Sequence, residues 1–468
     1  MERTMDLFSK ETYQERRRNL MKSVSGGVLL FLGNEESSSN FKDNWYPFRQ
    51  DSSFLYFFGL DLPGLVAVAD LEEDQVILFG DELSTEELVW HGEKPKLVDL
   101  AALVGVQEVR PSKDIGSFLA KSAQCRIHFL PPYRPENTLK LMDWLGLAAA
   151  QIKDRVSVEF IKAVAALRSI KSAEEVREIT KAVNHTVNVH RKVMQSTQAG
   201  MYEYELLGMV SGETLSGRGS LSFPPIITTD GQTLHNHRYA NRLERGKMLL
   251  GDFGTETAMH YAGDITRTIP VGKRFSAVQR EVYEIVWLAH RSAIAALRPG
   301  VRFLDVHLLA CRKITEGLKT MGLMKGDVEE AVRQGAHAMF FPCGLGHLMG
   351  LDVHDMEDLG ESYVGYTDQL QKSSQFGLKS LRFGKELEAG QVLTVEPGIY
   401  FIPQLMDSWN AQNLHRDFIN FEKLADFRDF GGIRIEDDFL ITSNGSELLG
   451  MPLETSPDEV ESLRSNAG

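Results

Sequence analysis

Two rhythms of apolar and polar residues divide the chain. In the first third, short unbroken apolar runs at residues 27–33, 65–70, 75–80 and 126–131 are bounded by glycine, acid or proline. Runs of that length with such borders predict buried strands. Helical spacing appears around them at 10–20, 114–121 and 138–147, so this part reads as an α/β sheet with helices on its faces. The aromatic segment 45–59, WYPFRQDSSFLYFFG, reads as a core strand after a turn.

A helix at 158–167 leads to Ser172-Ala-Glu-Glu175, a capping box in which hydroxyl and carboxylate satisfy the first free N–H groups of a new helix. That helix runs through Val176, Ile179, Val183 and Val187 at helical spacing, and it divides the chain into domains at 1–165 and 166–468. The run 225–237 predicts an extended strand ending in His235 and His237. A second capping box, Ser276-Ala-Val-Gln279, opens a helix that Pro299-Gly300 stops, and another helix is expected over 304–321. These helices should cover one face of a second sheet. His185 and His190, and likewise His290, His307 and His337, read as packed or solvated helix residues without chemistry. Residues 401–428 are polar and aromatic with few strand signals, an excursion from the main fold. The charged tail beyond Pro452 is expected to fray.

A chain of 468 residues, 43% hydrophobic, exceeds what one core usually serves, which agrees with two domains. Its net charge of -14 argues against nucleic acid or anionic membrane as the main partner. Cys125, Cys311 and Cys343 are widely spaced and odd in number, so neither a disulfide framework nor a thiolate zinc site is suggested. Residues 1–10 lack the apolar core of a signal peptide and no run is long enough to span a bilayer, so the expectation is a soluble, cytoplasmic protein.

Candidate chemistry begins with the run 249–268, LLGDFGTETAMHYAGDITRT. It places Asp252 and Asp264 on apolar strands that would pair antiparallel, the two acids facing each other. A buried carboxylate needs a cation or several donors, and two together repel unless shared cations relieve them. Taken alone, Asp264 capping a turn and Asp252 at an exposed strand end would serve equally well. Downstream, 344–355 brings His347 and His354 among glycines, while 392–398 and 431–437 each put one acid, Glu396 or Glu436, on an apolar run. Four acids and one imidazole suit hard or borderline divalent ions such as Mn2+, Co2+ or Zn2+. Two such ions can share bridging carboxylates and hold a nucleophilic water between them.

In order and motif, Asp252, Asp264, His347, Glu396 and Glu436 resemble the five metal ligands of the pita-bread metallopeptidases, specifically the aminopeptidase P and prolidase (Xaa-Pro dipeptidase) group. The likeness covers about the last 300 residues, and segment 45–59 more weakly resembles the N-terminal domain of the same group. It implies an α+β pita-bread catalytic domain, two divalent ions with Mn2+ foremost, and a proline-containing peptide as substrate. A homo-oligomer of two or four chains is also implied, with Trp45 and Arg49 within reach of a neighbour's active site.

By the same resemblance Asp264 and Glu436 bridge the ions, Asp252 chelates one, and His347 with Glu396 completes the other. A metal-bridging hydroxide then attacks the carbonyl preceding proline. Glu396 accepts a proton, His354 donates to the oxyanion, His235 contacts substrate and helps move protons, and Arg434 orients carboxylates. Arg382, fourteen residues before Glu396, resembles the prolidase arginine that grips a dipeptide carboxylate, which tips the expectation toward a dipeptidase over an aminopeptidase. Two departures stand out: Asp264 follows Asp252 by twelve residues, one more than usual, and Cys343 replaces a histidine four residues before His347. A non-catalytic peptide- or protein-binding module of the same fold is the alternative.

Overall fold

A computed structural model describes residues 5–122 and 124–466. They form two compact units, one of residues up to Arg168 together with Met356–Val364, the other of Ser169–Asp355 together with Gly365 onward.

In the first unit, strands Val28–Leu32 (β1), Val66–Asp70 (β2), Gln75–Phe79 (β3), Glu108–Arg110 (β4) and Ile127–Phe129 (β5) make one mixed sheet in the order β4-β3-β2-β1-β5. Alternation along β1 sends Val28 and Leu30 to one face, where they pack with Ile115, Leu119, Leu141 and Ile152 from helices. The opposite face carries Phe31, whose ring meets Phe57, Phe58 and Phe160 within 5.3 Å.

Segment 45–59 departs from expectation. Its second half is the helix Ser52–Phe58, capped by the Asp51 carboxylate, which accepts from the Phe54 N–H at 2.8 Å, and closed by Gly59 at φ +66°. Every residue of this helix is buried, so it shows no polar face and its sequence carries no helical period. Trp45 lies exposed beside His91, and Arg49 donates to the Gln50 carbonyl.

The second unit is built on short antiparallel strands. Ile226–Thr228 (β6), Met248–Phe253 (β7) and Ile265–Pro270 (β8) form a sheet with β7 at its centre. Val392–Val395 (β9), Gly398–Tyr400 (β10), Gly432–Arg434 (β11), Asp437–Ile441 (β12) and Ser446–Leu448 (β13) form the ladder β9-β12-β13 and the pair β10-β11. A bridge between Thr266 and Glu436 ties the two halves together. The helices Ala173–Ser196 and Ala277–Ala296 pack on these strands.

Two further expectations are corrected here. The extended run 225–237 is a strand only over β6, after which the chain turns through 231–235. The tail does not fray: Pro457–Asn466 is a helix whose Val460 and Arg464, four residues apart, are both buried. Ser456 and Glu459 cap it reciprocally, a box of the same kind as at Ser172. Among the described residues, no helix is long and apolar enough to cross a membrane.

Candidate active site

A cavity of about 250 Å³ opens in the second unit, and Asp252, Asp264, His347, Glu396 and Glu436 all line it, with His235, His354, Cys343 and Arg434. Each arrives on a different element. Asp252 is the penultimate residue of the fully buried β7, where its register partner on β8 is Thr266. The two aspartates therefore do not face one another as expected. Asp264 stands two residues before Thr266, so the pair are diagonal neighbours on one face of the ladder. The longer connection is absorbed by the turn 257–261, where His260 adopts φ +66° and its Nδ1 meets Glu256 at 2.8 Å.

His347 comes from the glycine loop before β9. Gly346 crosses that strand so closely that a Cβ would stand 2.1 Å from the Thr394 carbonyl oxygen, so only glycine lets the loop deliver His347. The imidazole is fixed at its far side, where Nδ1 lies 3.1 Å from the Leu348 carbonyl. With the proton on Nδ1, the Nε2 lone pair points at the acids: 3.4 Å from Asp264 Oδ2 and 3.6 Å from Glu396 Oε1. The His354 ring stands edge-on to it at 4.3 Å.

Behind the carboxylates lies a donor network. Arg434 gives one N–H to Asp252 Oδ2 at 2.5 Å, another to the Tyr400 hydroxyl at 2.7 Å and Nε–H to Thr266 Oγ1 at 3.2 Å. Thr266 in turn donates to Glu436 Oε2 at 2.6 Å. The buried Asp438 accepts the Asp264 backbone N–H at 3.1 Å. Thr266, Tyr400 and Asp438 escaped the sequence reading. Period two could have found the first two, since Asp264, Thr266 and Thr268 share a strand face, as do Glu396, Gly398 and Tyr400.

Crowding is visible in the electrostatics. Burial first, then Asp252, raises the Asp264 carboxyl well above its usual range, and burial with Asp264 and Glu396 does the same to Glu436. Burial lifts Glu396 to about 7. It also lowers His347, which is thereby neutral near pH 7. His235, exposed at the mouth, is lowered by partial desolvation and by Arg434. Cys343 is half-buried, 4.0 Å from the Tyr400 hydroxyl, and burial pushes its thiol up to about 12, which leaves it no nucleophile. Arg382 lies outside the cavity lining, half-buried, yet its charge helps depress His347.

The set fits divalent cations. One atom each from Asp264, His347 and Glu436 come within 4.8 Å of one another, and the buried Asp264 Oδ1 has no hydrogen-bond partner. An oxygen acceptor left bare in so acidic a cluster is offset by a cation.

Comparison with known proteins gives the arrangement its context. Residues 177–443 match metallopeptidase family M24, and residues 13–128 match the aminopeptidase P N-terminal domain. The Xaa-Pro dipeptidase of Homo sapiens is 31% identical over 453 residues, covering 94% of this chain and 90% of its own. The Xaa-Pro aminopeptidase of Escherichia coli is 30% identical over 474 residues, covering 98% of each. A zinc-substituted E. coli aminopeptidase P, solved in complex with product, superposes with a TM-score of 0.81 at 28% identity, covering 98% of this chain and 99% of its own. These relatives are enzymes, which sets the binding-module alternative aside, and the family implies divalent metal ions. With both family descriptions matched in order along one chain, the protein belongs to metallopeptidase family M24, among the enzymes that act at Xaa-Pro bonds.

Proposed function

We propose that this protein hydrolyses the bond preceding proline at the N-terminus of dipeptides and short peptides. Asp252, Asp264, His347, Glu396 and Glu436 would hold two divalent ions, Mn2+ before Co2+ or Zn2+. The observation that carries this is the convergence of His347 Nε2 to within 3.4 Å of Asp264 and 3.6 Å of Glu396 in one cavity. When bound, such ions supply a nucleophilic water near neutral pH and polarise a carbonyl.

The residues divide the remaining work. Asp264 and Glu436 would help hold both ions, Glu436 being steadied by Thr266. Arg434 occupies one oxygen of Asp252 and leaves the other for a ligand role, a typical orienting contact. Glu396, whose proton affinity lies near neutrality, accepts a proton at its carboxylate. His354 donates a hydrogen bond to the carbonyl oxygen as charge develops there. His235 at the mouth contacts the substrate and relays protons. Proline's ring fixes φ and leaves the amide without an N–H, so a dedicated pocket can select it.

Dipeptides are favoured, because the positive charge of Arg382 reaches the site and would meet a free carboxylate at proline. The N-terminal domain and the E. coli relative favour longer Xaa-Pro peptides as the second reading. Hydrolysis of Ala-Pro and Ala-Pro-Ala with Mn2+ decides both questions: cleavage of neither sinks the peptidase reading, and comparable rates remove the dipeptide preference. The reading extends to the cytoplasm and to a homo-oligomer of two or four chains, which native mass spectrometry would count together with the bound ions.

A further inference from the structure

A second cluster of metal-ligating side chains lies in the same unit, and none of its members lines the cavity described above. His307 and Cys311, four residues apart on the helix Phe303–Thr320, share one face. His337 approaches from the 3-10 turn Ala336–Met339. All three side chains are completely buried. Cys311 Sγ stands 3.4 Å from His307 Nε2, and one ligand atom from each residue lies within 4.8 Å of the others. The Phe341 ring packs 5.4 Å from the His307 ring and helps to seal it.

The cluster carries an unusual concentration of bare polar atoms. His307 Nδ1 has no hydrogen-bond partner, and the His337 ring has the Val332 backbone carbonyl beside it but no close, well-aligned hydrogen bond at either nitrogen, although buried nitrogens are nearly always paired. Burial lowers His307 to about 3 and His337 to about 4, so both rings are neutral, with a lone pair available, at any physiological pH. Burial first, then Cys343, pushes the Cys311 thiol up, and the charge of Arg312 opposes this only in part.

Charge and ligand number select the occupant. A thiolate and two neutral imidazoles around a dication leave one net positive charge in a site where no carboxylate acts on any of the three groups. Buried net charge is costly. Around a soft monovalent ion the same ligands sum to zero. Zinc in structural sites takes four ligands, whereas this cluster offers three, and thiolate softness selects copper(I). Bonds of the length zinc makes, about 2.3 Å to sulfur and about 2.0 Å to nitrogen, would hold those atoms roughly 3.6–3.8 Å apart around a trigonal ion of similar size. The observed Cys311–His307 pair thus needs to open by only a few tenths of an ångström.

We propose that His307, Cys311 and His337 form a three-coordinate site for a soft monovalent cation of the copper(I) class, filled as this unit folds. The sulfur–copper bond forms as the S–H bond breaks, the proton leaves to solvent, and copper remains in the +1 state with no electron transferred. Binding therefore tightens about tenfold per pH unit while Cys311 is a thiol in the free protein. The inference is independent of the peptidase reading.

The test is metal analysis of the full chain carrying C125S and C343S, which removes the other thiols, expressed with copper supplementation and challenged anaerobically with bicinchoninate. One copper(I) per chain is expected, with X-ray absorption reporting two nitrogens and one sulfur. Adding C311S should abolish it, and adding H337Q, which keeps the thiol, should remove one nitrogen from the shell and weaken retention at least tenfold. Circular dichroism confirms folding, and if C311S does not fold the H337Q comparison decides. Folded protein without copper, undiminished copper in both variants, or four-coordinate zinc displacing copper would each overturn the proposal.

Discussion

Replacing Arg434 with methionine removes a buried guanidinium that bridges Asp252, Tyr400 and Thr266 while keeping similar bulk. In metal-free protein Asp252 loses its charge partner, and breaking a buried pair costs about 3–5 kcal/mol. With cations bound the carboxylates remain compensated, and the loss shrinks to that of charge-assisted hydrogen bonds, about 1.5–3 kcal/mol. The difference of roughly 2 kcal/mol must appear as metal affinity, about thirtyfold tighter in the variant at 1.4 kcal/mol per factor of ten. Activity should still fall about 10- to 100-fold, since Asp252 is no longer oriented. Calorimetric Mn2+ titration and melting scans with chelator or Mn2+ read both quantities. At about 1.6 °C per kcal/mol for a unit of this size the chelated variant should melt roughly 5–8 °C below wild type, with a smaller deficit in Mn2+. If Arg434 merely holds Asp252 in place, Mn2+ affinity will drop instead. A weaker affinity, or equal melting deficits in the two states, would refute the reasoning.

Other outcomes follow from neighbouring contacts. Glu396 is raised from its ordinary 4.5 to about 7 in the fold, so its contribution to stability is complete below 4.5 and is lost as pH rises through 7. Chelated wild type should accordingly lose more stability than E396Q between pH 4.5 and 8, and parallel melting profiles would contradict this. In T266V, Glu436 loses a donor and Arg434 an acceptor, so we expect a stability loss of about 2 kcal/mol by urea titration and kcat lowered at least tenfold with KM little changed. Arg464 donates from the last helix to the carbonyls of Met194, Thr197 and Val271, so R464A should cost about 3 kcal/mol without altering kcat of the Mn2+-loaded enzyme, whereas an unchanged melting point would mean the tail is not anchored.

The chemistry was legible wherever it broke a local rule. Single acids on apolar runs at Asp252, Asp264, Glu396 and Glu436 cannot be explained by strand propensity, and a histidine among glycines at His347 cannot be explained by packing. Helix starts were legible too, because capping boxes at Ser172 and Ser276 are local devices, each observed with both reciprocal hydrogen bonds. Elements without such a local signal went astray. The helix Ser52–Phe58 is buried all round and so has no period, and the tail looked loose until Arg464 found carbonyls 193 and 270 residues earlier.

What the sequence determined by itself, then, is the inventory: which acids and imidazoles are out of place in apolar surroundings, and in what order they occur. Which of them meet was decided by tertiary structure alone. Register made Thr266 the partner of Asp252 and moved Asp264 to the diagonal, and the Thr266–Glu436 bridge carried the last acid to the same cavity. His307, Cys311 and His337 show the reverse, three residues unremarkable along the chain that folding brings together without hydrogen-bond partners for all their nitrogens. The physical reason is common to both: burial cost is a local property that composition exposes, whereas its compensation comes from residues distant in sequence, placed by strand pairing and helix packing.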